Sequence, residues 1–182
     1  MKAEQKLAWI DIETTGLDPE TGHILEVAVV LTDVRLKEVD RFHSLVKVGD
    51  RPVVMDDFVL KMHNDNGLLH ELAKAQFEID EAETLLCNFF SACNGGDKKN
   101  IVLCGNSIPS LDLPFLRKHM PRIFDCVHYR TIDVTAVRLG MEVLLQTEIP
   151  VQKGGSHRAM DDVLACIDEF AQLQRFADQR LV

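Results

Sequence analysis

Apolar positions recur along this chain at two spacings, and the two spacings divide it into elements. Leu7-Ala8-Trp9-Ile10 is an uninterrupted apolar run that predicts a buried strand over residues 7–13. Residues 24–34 and 39–48, rich in Val, Ile and Leu, predict two further strands. The DPETG turn between the first two, punctuated by Pro19 and Gly22, is short enough to favour an antiparallel meander. Residues 56–72 mix polar and apolar positions and are expected to be helical in parts. Asp80 is expected to cap a helix whose apolar stripe is Ala82, Leu85, Leu86, Phe89 and Phe90, ended by Gly95-Gly96-Asp97.

The second half alternates. Ile101-Val102-Leu103-Cys104 reads as a fully buried strand, and a helix over 111–119 stops before Pro121. A short strand over 127–132 leads into a helix over 133–145, and Gly154-Gly155 forms a flexible link. The last helix begins around Ser156 and carries Ala159, Val163, Cys166, Ile167, Phe170 and Leu173 at helical spacing. Strands first, then alternating helices and strands, predict an α/β domain with a mixed sheet.

Composition narrows the class. A chain of 182 residues suits a single domain spanning 1–182, and 46% apolar with 27% charged residues is ordinary for a soluble globular protein. No apolar run is long enough to cross a membrane, and MKAEQKLAW lacks a signal-peptide core, so a cytoplasmic location is expected. Five cysteines without a CxxC pair read as reduced core thiols. A protein that grips long nucleic acid through its backbone usually carries a basic stripe, and this chain, at a net charge of −9, has none; bound divalent cations could still invert the local field. Any nucleic-acid substrate is short or held locally.

Against that background the acids stand out. On a strand, Asp11 and Glu13 project from one face while Ile10 and Ile12 face the other way. Two carboxylates held together are costly unless a cation sits between them, and oxygen-only ligands suit Mg²⁺ or Mn²⁺ rather than zinc. A second segment is Gly105-Asn106-Ser107 with Asp112, at the carboxyl end of a buried strand where α/β sheets gather their sites. The third is Ser156-His157-Arg158-Ala159-Met160-Asp161-Asp162. Each alone has an ordinary reading: a solvated strand end, a helix cap at Asp112, and acids complementing a helix dipole.

Taken in order, Asp11-x-Glu13, Asp112 and His157-x-Ala159-x-x-Asp162 resemble the DEDDh 3′–5′ exonucleases, the family of RNase T and the proofreading subunits of DNA polymerases. The resemblance implies a ribonuclease H-like fold: a mixed central sheet of about five strands, the first three antiparallel, flanked by helices. It implies that Asp11, Glu13, Asp112 and Asp162 bind two divalent ions, Mg²⁺ or Mn²⁺, and that His157 is the general base. Two metals about 4 Å apart can hold the attacking water and the leaving 3′ oxygen, and imidazole titrates in the range that suits a base. Asp161 is read as a helix-start charge.

Within that family WIDIETTGLDPETG, MDDFVLKMHNDNGL, LCGNSI and HYRTIDVTAV resemble the oligoribonuclease group, which degrades very short RNA, dinucleotides above all. The resemblance assigns Leu17 to a wedge between two bases and Phe58, where tryptophan is usual, to stacking on one. It assigns Ser107, Arg130 and Thr135 to a cap on the 5′ phosphate, and Tyr129 to the partner's active site across a homodimer interface. His63 matches a histidine of the substrate pocket, with a structural role as the alternative. The spacer Ile108-Pro109-Ser110-Leu111 is one residue longer than usual, which would shift Ser107 relative to Asp112. The competing readings are an exonuclease on single-stranded DNA and a catalytically silent binding module that kept the fold.

Overall fold

In this computed structural model the described residues are 5–49, 53–151, 154 and 156–180. Strands β1 (Lys6–Thr14), β2 (Ile24–Asp33) and β3 (Glu38–Leu45) form the expected antiparallel meander. β4 (Ile101–Gly105) and β5 (Thr131–Asp133) add in parallel on the other side of β1, giving a five-stranded sheet of order β3-β2-β1-β4-β5. The helices are α1 (Asp57–Asp65), α2 (Leu68–Leu72), α3 (Ile79–Cys93), α4 (Asp112–His119), α5 (Val134–Leu145) and α6 (Ala159–Asp178).

The central strand β1 is covered on both faces, which explains its unbroken apolar run. Ala8, Ile10 and Ile12 join one core cluster with Leu86 and Phe90 of α3 and Phe115 and Leu116 of α4. Leu7 and Trp9 join the other with Val163, Cys166 and Leu173 of α6. Trp9 is fully buried, and its indole N–H donates to Thr32 Oγ1 at 2.9 Å. The sheet is therefore a partition with helices on both sides.

Several boundaries differ from expectation, and the third strand ends at Leu45 rather than at residue 48. Helix α3 starts at Ile79 with Glu78 as cap, whose N–H donates to Glu81 Oε2 at 3.0 Å, so Asp80 lies in the first turn. β5 covers 131–133 rather than 127–132, because Val127 is spent on core packing and the chain reaches strand geometry only after it. Helix α6 starts at Ala159, not Ser156, since His157 adopts the left-handed backbone (φ 55°) that a right-handed helix cannot contain. Gly155 of the expected link lies outside the described residues, as do residues 1–4 of the N-terminal segment.

The five cysteines are all free thiols. Among the described residues no helix is long and apolar enough to cross a membrane.

Candidate active site

The register of β1 places the first acidic pair. Its pairing with β4 ends at Trp9 opposite Cys104, so Asp11 and Glu13 project beyond the carboxyl end of β4. β4 turns away through Gly105, where a Cβ would stand 3.0 Å from the Ile10 carbonyl oxygen, so a larger residue would have to push β1 aside by a few tenths of an ångström. Asp11 and Glu13 share the face of Leu7 and Trp9, over which α6 is laid. The first turn of α6 therefore delivers Asp162 to them. One carboxylate oxygen from each of Asp11, Glu13 and Asp162 lies within 4.8 Å of the others.

This donor set is hard, anionic and all oxygen, which fits a divalent cation of the Mg²⁺ or Mn²⁺ kind. Its electrostatics point the same way. Burial first, and then the charges of Asp112 and Glu13, push Asp11 well above the ordinary carboxylate range. Burial and the Asp162 charge push Glu13 up to about 8. Asp162 is also raised by burial, against the opposing pull of His157 and the Ser156 N–H. A divalent cation supplies the counter-charge that protons otherwise provide.

Asp112 stands apart from that trio. It is the first residue of α4, only 5% exposed, and accepts a hydrogen bond from the Ile12 backbone N–H. Burial lifts it to about 7. Its charge nonetheless acts on Asp11 and Glu13, so all four acids form one electrostatic unit.

Two cavities meet at Asp11 and Asp162. One, of about 300 Å³, is lined by Asp11, Glu13, Asp162, His157, Leu17 and Phe58 among others. Leu17 is 81% and Phe58 74% exposed, so two apolar side chains stand in solvent at the mouth of an acidic cleft. The other, of about 270 Å³, is lined by Asp11, Asp162, Asn106, Ser107 and Thr135. Ser107 Oγ donates to Thr135 Oγ1 at 3.2 Å, and the Ser107 N–H donates to Asp133 Oδ1 at 3.1 Å. The long spacer does not separate Ser107 from the acids. It is absorbed in a tight turn, with Ser107 in left-handed backbone (φ 51°), Ser110 N–H bonded to the Ser107 carbonyl at 2.8 Å, and Ile108 buried as an anchor.

His157 lies just before α6, exposed, beside the trio, and not on the helix itself. Asp161 is exposed and accepts from Ser156 Oγ at 2.5 Å, a local helix-start contact.

Three expected residues sit elsewhere. His63 is fully buried, with Nε2 2.8 Å from the Thr14 carbonyl and Nδ1 3.9 Å from Glu13 Oε2; it braces the end of β1 rather than facing a substrate cavity. Tyr129 is 76% exposed, stacks on His128, and receives the Arg130 Nε–H at 3.0 Å. Neither Tyr129 nor Arg130 lines either of these two cavities.

Sequence reasoning missed Glu26. It lies opposite Glu13 in the β1–β2 register and is 1% exposed. Against the upward push of burial, hydrogen bonds from His43, Arg158 and the Ala159 N–H hold it down at about 2. The signal was available: one acid inside the otherwise apolar run ILEVAVVL.

Comparison with known proteins agrees with this geometry. The exonuclease family model RNase T matches residues 8–170. An oligoribonuclease of Tropheryma whipplei is 38% identical over 173 residues, covering 91% of this chain and 89% of that protein. One from Neisseria meningitidis serogroup A is 34% identical, covering 93% and 90%. Among solved structures, Escherichia coli exonuclease I in complex with a dA13 oligonucleotide superposes with a TM-score of 0.75 at 16% identity. Exonuclease I from Methylocaldum szegediense does so at 0.71 and 20%. The chain spans 42% and 40% of the length of those two structures, and the likeness is one of fold, ribonuclease H-like. With the family model matched across residues 8–170 and relatives aligned over nearly their whole length, the chain belongs to the RNase T exonuclease family, where it is similar to the oligoribonucleases.

Proposed function

We propose that this chain is a 3′–5′ exoribonuclease acting in the cytoplasm on short oligoribonucleotides, dinucleotides preferred, as a single catalytic domain. The observation that carries the reading is the acidic trio at the junction of two small cavities, one flanked by exposed apolar side chains and one by hydroxyls. That layout suits a substrate with a base-stacking end and a phosphate end. Similarity to the oligoribonucleases over nearly the whole chain supports RNA as the substrate.

Asp11, Glu13 and Asp162 would hold the divalent ions with Asp112 completing the set, as two Mg²⁺ or Mn²⁺ ions. When bound, such ions polarise the phosphate and stabilise the attacking and leaving oxygens. His157 accepts a proton from the water whose oxygen attacks phosphorus; the bond to the 3′ oxygen breaks, that oxygen takes up a proton to become the new 3′ hydroxyl, and a 5′-mononucleotide is released. Leu17 wedges between two bases and Phe58 stacks on one, and stacking is tolerant of sequence because every base has a π-face. Ser107 and Thr135 offer hydroxyls to a terminal phosphate, and that closed end accounts for short substrates without a basic groove.

A homodimer follows from the same reading. Helix α5 exposes Leu139, Val143 and Leu144, the last two at 76% and 84%, an apolar face suited to a second copy. Tyr129 and Arg130 would then reach the partner's site. Alanine at Asp11 or Glu13 tests the function: turnover of a labelled diribonucleotide should vanish while the fold persists. RNA binding without wild-type turnover would instead mark a binding module. Tyr129→Ala should reduce turnover with the dimer intact; unchanged turnover removes that role.

A further inference from the structure

The buried acid on β2 has a place in the site although it touches no substrate cavity. Glu26 Oε1 accepts from Arg158 Nη2 at 2.8 Å and lies 2.7 Å from His43 Nε2. Its Oε2 accepts from Arg158 Nε at 3.2 Å and from the Ala159 N–H at 3.1 Å. Both oxygens are therefore committed to the two residues that follow His157. Arg158 Nη2 also donates to Glu71 Oε2 of α2 at 2.6 Å. From the other side, Asn66 at the end of α1 donates its amide to the His157 carbonyl. Two backbone N–H groups of the same turn, at Ser156 and His157, bond to Asp162.

His157 itself is exposed and sits in left-handed backbone, a conformation that crowds the Cβ of a non-glycine residue. Such a residue keeps its place only where its surroundings over-determine it. The surroundings here are the Glu26 fork and the Asn66 amide. The Glu26 fork has a second consequence. Glu26 and Glu13 are cross-strand neighbours, and a carboxylate already satisfied by arginine and a backbone N–H leaves Glu13 as the free member of the pair.

We infer that Glu26 is a positioning residue for the reaction: through Arg158 and the Ala159 N–H it fixes the turn that aims His157 at the acidic trio. Glu71 and Asn66 tie that same turn to α1 and α2, so the helix presenting Phe58 and the base that takes the proton move as one piece. The inference rests on the exoribonuclease reading above.

The test is a pair of double-mutant cycles on diribonucleotide turnover, with Glu26→Gln and Arg158→Lys, each alone and combined with His157→Ala. Glu26→Gln should lower kcat roughly a hundredfold, the scale of a small misplacement of a reacting group, and leave KM within about threefold. Thermal stabilisation by Mn²⁺ should persist, because the trio is intact. In the His157→Ala background the same substitution should change kcat by less than twofold, because the group it positions is gone. A full loss in that background, or a loss confined to KM, overturns the inference. If Glu26→Gln does not fold, Arg158→Lys, which keeps the charge but loses the fork, carries the same outcomes. A wild type as slow as His157→Ala would sink the exoribonuclease reading itself; a His157→Ala loss with unaltered Glu26→Gln and Arg158→Lys sinks this inference alone.

Discussion

Glu13→Gln should stabilise the metal-free protein at neutral and alkaline pH. The Glu13 carboxyl is held at about 8, against 4.5 for a free glutamate, by burial first and by the charge of Asp162 next. Its folded value is raised, so the folded state retains the proton longer than the unfolded chain. Stability from this group is complete below pH 4.5 and is lost as pH rises towards 8. At 1.36 kcal/mol for each pH unit of difference, the deficit is about 3 kcal/mol at pH 7 and about 4 kcal/mol at pH 8. Glutamine carries no such deficit, and its gain is smaller to the extent that its amide lacks partners beside His63 and Asp162. Urea denaturation in a chelator at pH 5, 7 and 8.5 measures it. The variant should match the wild type at the lowest pH and exceed it increasingly above. With Mg²⁺ or Mn²⁺ at a hundred times the wild type's Kd the gap at pH 7 should nearly close, since bound ligand stabilises by about 2.7 kcal/mol and glutamine weakens the site. A variant no more stable than the wild type at pH 8.5 in chelator would refute the argument that the trio is a site of unrelieved repulsion.

Other outcomes follow from the same geometry. Asp162→Asn should remove most of the metal-induced rise in Tm and lower turnover at least a thousandfold, measured by thermal scans and diribonucleotide hydrolysis. Phe58→Ala should raise KM between about 5-fold and 150-fold, the range expected from losing 1–3 kcal/mol of base stacking, with a smaller effect on kcat. Trp9→Phe should cost about 1–3 kcal/mol in urea denaturation, because Thr32 Oγ1 is left buried without its indole donor.

Much of this was legible in the sequence. Strand β1 announced both its burial and its two acids, because a period-two pattern fixes which side chains share a face. The order of strands and helices predicts the mixed sheet, and the motif order picks out Asp11, Glu13 and Asp162, which the fold brings together. What the sequence could not carry was local backbone geometry and inward orientation. The spacing of His157 to Asp162 suits a helix, yet its left-handed backbone places it in the turn before α6. His63 sits in a segment that resembles a substrate motif, but the register of α1 against β1 turns its ring into the core. Glu26 was passed over because an acid in an apolar strand reads as noise until its partners, Arg158 and His43, are brought across the fold. The extra residue in the spacer before Asp112 is taken up by a turn at Ser107, which keeps Ser107 at the cavity shared with Asp11 and Asp162.

The most direct measurement is a time course with divalent metal on labelled RNA of two, three, five and seven residues beside matching DNA. The account predicts rapid cleavage of the diribonucleotide, slower attack on longer RNA and little on DNA. Equal or faster attack on the longer chains or on DNA would contradict it, and would mean that the end formed by Ser107 and Thr135 is open.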